Sequence, residues 1–206
     1  MSLPSYALTT LARVKDRAGI PSGTTTYDTA LERLIVMATA LIERTCNGRR
    51  FFRTTYTSEV YDLDGGEEVL YLKNWPVSAL TTVQYNIGTP GTPSWTTEVV
   101  DNYALADAGE FGRVRLYSGY SGVNAARVTY SAGYLIDWTN EFTATHTLPF
   151  ELTDLCERIT LASFNKRTDE GKASQSSQET SVTWEKVRIP EGDMEWLRVY
   201  QRPRFA

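Results

Sequence analysis

The spacing of apolar side chains along this 206-residue chain changes period twice, and those changes organise it. Leu11, Val14 and Ala18 recur at helical intervals behind Thr9 and Thr10, either of which can cap a helix, and Gly19-Ile20-Pro21 stops it. A polar loop over 22–26 leads to the strongest helical signal. Leu31, Leu34, Ile35, Ala38, Leu41, Ile42 and Thr45 form one apolar stripe, which predicts a helical core containing Leu34 and Leu41. Asp28 and Glu32 suit the positive end of its dipole, Arg44 the negative end, and Asn47-Gly48 supplies a left-handed stop.

From about Arg53 the period falls to two. Tyr56, Ser58 and Val60 alternate with polar neighbours, and Asp64-Gly65-Gly66 signals a hairpin turn into Val69–Leu72. Strand-like runs follow at 79–86, 95–100, 103–106, 113–117 and 126–131, with short Gly/Pro loops between them. Helical periodicity returns behind Pro149, where Leu152, Leu155, Cys156, Ile159, Ala162 and Ser163 share a face. Residues 168–180 lack a large apolar side chain and read as a mobile loop. Val182 and Trp184 then alternate as a short strand. Pro190 opens a brief helix with Met194, Leu197 and Tyr200, and 202–206 is an extended tail. The predicted class is α+β. The N- and C-terminal helices form a bundle, and a large antiparallel β sandwich or barrel-like region is inserted between them. The segments are 1–52, 53–146 and 147–206.

Composition narrows the function more than the fold. With 41% hydrophobic residues the chain can bury a real core. Its net charge of −4 argues against coating nucleic acid through a basic field. That charge is segregated. Residues 1–53 carry eight basic and four acidic side chains, residues 54–148 four and eleven, and residues 149–206 nine and ten. No apolar run approaches the roughly 18–20 residues that span a bilayer, and the N-terminus does not read as a signal peptide. Cys46 and Cys156 lie far apart in helical patterns and read as buried thiols in a reducing cytoplasm.

Candidate chemistry is sparse. His146, the one histidine, lies in a polar linker, so no nucleophile–base pair, zinc site or cofactor is expected, and the chain reads as a non-enzyme. Asp62, Asp64, Glu67 and Glu68 lack the alternate oxygen ligands of a calcium loop and read as a solvated hairpin tip. Tyr117–Gly122 lacks the Gly-Lys-Ser/Thr ending of a phosphate loop. Arg49-Arg50-Phe51-Phe52, with Arg53 beyond, is a basic corner with interleaved aromatics. It fits contact with a nucleic-acid backbone or acidic partner, and equally dipole compensation followed by a strand entering the core. The tail combines Trp196, Tyr200 and Phe205 with Arg198, Arg202 and Arg204, the side-chain types enriched at protein–protein hot spots. Five tryptophans and twelve tyrosines also admit a carbohydrate- or surface-binding β module.

Several segments, in order, resemble the head–tail connector family of tailed phages, also called adaptor or head-completion proteins. They are 8–15 (Leu-Thr-Thr-Leu-Ala-Arg-Val-Lys), 31–35, 40–45, Gly48-Arg49-Arg50-Phe51, Asn74-Trp75-Pro76-Val77, 128–134, Leu148-Pro149 and 196–203. The β insertion is larger than in the family's compact forms, and 134–148 is long and irregular. The resemblance implies a structural homo-oligomer, a dodecameric ring docked below the portal protein in the virion neck after assembly in the host cytoplasm. It would extend the DNA channel without specific DNA binding and present a surface to the next connector, stopper or tail protein. It further implies portal contact through Trp196, Arg198, Tyr200, Arg202, Arg204 and Phe205.

Overall fold

The computed structural model describes residues 3–64, 68–117, 119, 121–166 and 189–201, and the backbone of 174–177 and 180–183. The chain divides into two compact units, Met1–Gly48 with Leu148–Gln201, and Arg49–Thr147. The class is α+β.

The helical unit begins with α1 (Leu11–Arg17), capped by the Thr10 hydroxyl, which accepts from the Arg13 amide at 3.3 Å. Helix α2 (Asp28–Thr45) ends where Asn47 and Gly48 turn left-handed at φ 60° and 74°. Helix α3 spans Phe150–Lys166, and α4 spans Glu191–Leu197 with a 3-10 turn over Arg198–Tyr200. Leu31, Ile35, Ala38 and Ile42 are fully buried on α2. Leu34 and Leu41, expected in that core, are only half-buried. At 100° per residue they sit on the flank of the buried stripe, and Thr39 occupies the opposite flank. Thr39 is itself fully buried; its hydroxyl accepts from the Leu8 amide at 3.3 Å and lies 3.7 Å from the Cys156 sulfur on α3. Lys15 is a buried cation that staples the α1–α2 loop. Its ammonium donates to the carbonyls of Ser22 and Thr24 and pairs with Asp28 at 2.9 Å.

In the β unit, β1 (Thr54–Leu63), β3 (Val77–Asn86), β4 (Trp95–Thr97) and β7 (Gly122–Ala132) form an antiparallel sheet in the order β1-β7-β3-β4. Strands β2 (Val69–Tyr71), β5 (Tyr103–Leu105) and β6 (Arg113–Leu116) form a second, ordered β2-β6-β5. Side chains of both sheets share one core, including Leu63, Leu70, Val83, Val114, Leu116 and Val128. Two expectations are corrected. β1 and β2 are not a hairpin: β1 pairs with β7 and β2 with β6, so the segment carrying Asp64 crosses between sheets. Within β1 a bulge between Tyr56 and Glu59, with Ser58 at φ 54°, breaks the simple alternation. The inward set becomes Tyr56, Glu59, Tyr61 and Leu63, and Val60 is exposed. Glu59 accepts from the Tyr61 and Tyr130 hydroxyls at 2.5 and 2.6 Å and pairs with the Lys73 ammonium at 3.7 Å, so the half-buried carboxylate is satisfied. Burial raises the phenol pKa of both tyrosines above the ordinary value.

Part of the segment expected as loop is also strand. Ser174–Ser177 (β8) pairs in register with Thr180–Thr183 (β9), a hairpin built from β-branched and small polar residues. Trp184 lies outside the described residues.

Candidate interaction surface

Arg49 is the largest fully buried side chain in the chain's described core, not a surface contact. Its guanidinium carbon lies 3.8 Å from the Trp75 ring centre, with Phe51 at 5.1 Å and Tyr134 at 5.7 Å. One nitrogen donates to the Trp75 carbonyl at 2.7 Å and reaches the Tyr134 hydroxyl at 3.4 Å. Around this cage the Arg50 amide donates to Asn74, the Tyr134 amide to the Phe51 carbonyl, and the Gly133 amide to the Pro76 carbonyl. A side chain at Gly133 (φ 110°) would meet the Phe52 backbone at 2.7 Å. Three motifs distant in sequence thus meet around one buried cation. Of the basic corner only Arg50 is exposed; Arg53 is half-buried, its Nε donating to the Gly133 carbonyl at 3.3 Å.

The carboxy-terminal candidates are partly assembled. Leu197, fully buried, anchors α4, and the Trp196 and Tyr200 rings meet edge-on at 6.0 Å. The Trp196 indole donates to Asp193 at 3.1 Å. Arg158 grips Asp193 through two bonds of 2.7 and 2.9 Å and Asp154 through a third of 2.8 Å. Arg17 pairs with Asp154, and Arg13 and Arg17 pair with the buried Glu157. The Arg158 hydrogen bonds hold the Asp193 carboxyl below its usual range and raise the guanidinium in turn. Gln201 donates to the Thr45 carbonyl at 3.3 Å, fixing the exit of the helix.

Between α3 and α4 this leaves an open groove of about 590 Å³ lined by Phe150, Glu151, Asp154, Arg158, Trp196, Val199 and Tyr200. Val199 is 71% exposed and Phe150 49%. Arg198 is exposed beside the groove; Arg202, Arg204 and Phe205 lie outside the described residues. Sequence reasoning missed Arg158, Asp193 and Phe150. The Asp154–Arg158 spacing of four was a readable signal, whereas the pairing of Arg158 with a residue 35 positions later was not.

His146 is buried against Trp138 at 4.8 Å, with Nδ1 3.2 Å from the Asp137 amide that donates to it. Both cysteines are free and buried, and burial pushes the Cys156 thiol up to about 12. Among the described residues no group of three His, Cys, Asp or Glu side chains is placed to hold a metal, and no helix is long and apolar enough to cross a membrane.

No family model matches the chain, and no curated protein matches it. Among solved structures it is similar to a chain from the neck of an empty GTA (gene transfer agent) particle computed with C6 symmetry. The match has a TM-score of 0.55 at 16% sequence identity and covers 100% of this chain and 95% of that one. What the two chains share is the fold.

Proposed function

We propose that this protein is a head–tail adaptor in the neck of a tailed-phage-like particle, a non-enzymatic ring subunit docked below the portal. The observation that carries the reading is the end-to-end fold likeness to a neck chain, which spans both units rather than one. The ordered motifs add support, because three of them build the Arg49 cage and so belong to the scaffold of such a fold. The acidic β unit suits a channel component that must release DNA, since strong phosphate neutralisation would retard its passage. In this reading α4 and the tail form the portal-docking element. Trp196 and Tyr200 seat it, and Arg198, Arg202, Arg204 and Phe205 reach the portal.

The test is co-sedimentation of the full-length protein with its portal, beside a form lacking residues 202–206. Docking by the full chain, with weakened docking and an unchanged circular dichroism spectrum for the truncated chain, is the expected result. Phe205→Ala should reproduce part of the loss. Undiminished docking by the truncated protein moves the contact away from the tail, and absence of docking by the full chain refutes the adaptor reading.

A further inference from the structure

A second groove, of about 480 Å³, opens on the helical unit between α2 and α3, lined by Met37, Ala38, Ala40, Leu41, Arg44, Ile159 and Ser163. It lies on a different side of α3 from the first. Asp154, in the first groove, and Ser163, in the second, are nine residues and so half a helical revolution apart. Met37 is 65% exposed at the mouth. Arg33, Met37, Ala40 and Arg44 are all exposed and form one stripe along α2. Neither Arg33 nor Arg44 has an ion-pair partner among the described residues.

The first groove and the exposed α2 stripe that borders the second are complementary. In the first, Arg158 is taken up by Asp154 and Asp193, so the lining charge left over is Glu151, exposed at the start of α3. In the second the lining charge is Arg44. The first groove offers the rings of Phe150, Trp196 and Tyr200; the second presents an exposed thioether, a side chain that packs well on aromatic edges. Because the two patches face different sides of α3, one copy's groove and its own stripe do not meet the same neighbour. They make a head-to-tail contact, which closes into a ring when the rotation permits.

We propose that the α3–α4 groove of one copy receives the exposed α2 face from Met37 to Arg44 of the next, with Glu151 facing Arg44 across the joint. This rests on the ring reading above and assigns its subunit interface to two named surfaces. The occupant of the first groove is therefore a second copy of this chain, and the exposed face of α2 is the partner surface that fits it.

The experiment measures assembly of full-length protein by mass photometry, alone and on portal rings, for four chains: wild type, Arg44→Glu, Glu151→Arg, and the two substitutions together. Each single reversal should weaken association on the order of tenfold, because like charges then face each other. The doubly substituted chain should recover most of it. That recovery also controls for folding, since it carries both changes. Wild-type behaviour of the single variants, or a double variant no better than the singles, overturns the interface. If the wild type still docks on portal in that case, the adaptor reading survives. If the wild type neither associates nor docks, both fall together.

Discussion

Arg49 makes the sharpest test of how this chain spends its arginines. Truncation to Ala removes a charge-assisted bond to the Trp75 carbonyl, worth about 1.5–3 kcal/mol, and leaves that carbonyl short of a donor. It also removes a desolvated cation–π stack on Trp75 worth about 2 kcal/mol. A residual void of roughly 100 Å³ adds about 2 kcal/mol at the usual cavity cost. Against these stands relief of the burial cost of the cation, several kcal/mol. The balance is a loss of about 3–4 kcal/mol. Arg49→Lys keeps the charge but not the flat stack or the aimed donor, and should cost about 2 kcal/mol. Arg49→Met keeps volume, discards the charge and should cost least, about 1 kcal/mol. Urea unfolding of the full-length protein, followed by near-ultraviolet circular dichroism of the aromatic cage, measures all three. An Ala variant within about 0.5 kcal/mol of wild type would place Arg49 among ordinary surface substitutions and refute the cage argument. A Met variant as damaged as Ala would show that the charge itself, rather than its packing, carries the stability.

Two further outcomes follow from the helical unit. Asp193 has its folded pKa held below the unfolded value of about 3.9, so its stabilisation is complete above that value and is lost as pH falls through the folded one. The Trp196 fluorescence signal, taken as the difference from Trp196→Phe, should therefore change below about pH 4, and Asp193→Asn should abolish that acid step; an identical step in the variant would assign it to another group. Ile35→Asp should unfold the helical unit at a cost of several kcal/mol, whereas Leu41→Asp, on the flank of the stripe, should cost only about 1 kcal/mol. Equal thermal denaturation midpoints for the two would contradict the assigned orientation of α2.

Local chemistry settled where the elements begin and end. Thr10 caps α1 and Asn47-Gly48 ends α2 because capping and left-handed backbone depend on residues adjacent in sequence. The change of period from helical to two marks the β unit for the same reason: period records which faces are wet, strand by strand. What the pattern did not contain was pairing. Nothing near Asp64 tells β1 to seek β7 and β2 to seek β6, because partners are chosen by the core that both sheets fill. A single bulged residue, Ser58, re-aims Glu59 inward, where the hydroxyls of Tyr61 and Tyr130 and the ammonium of Lys73 receive its carboxylate. Arg49 shows the division most plainly. In sequence it is one of three arginines beside two phenylalanines, equally suited to a phosphate or to a core. Trp75 and Tyr134, brought from 26 and 85 positions away, decide it, because an arginine is buried only where distant rings and carbonyls replace its water.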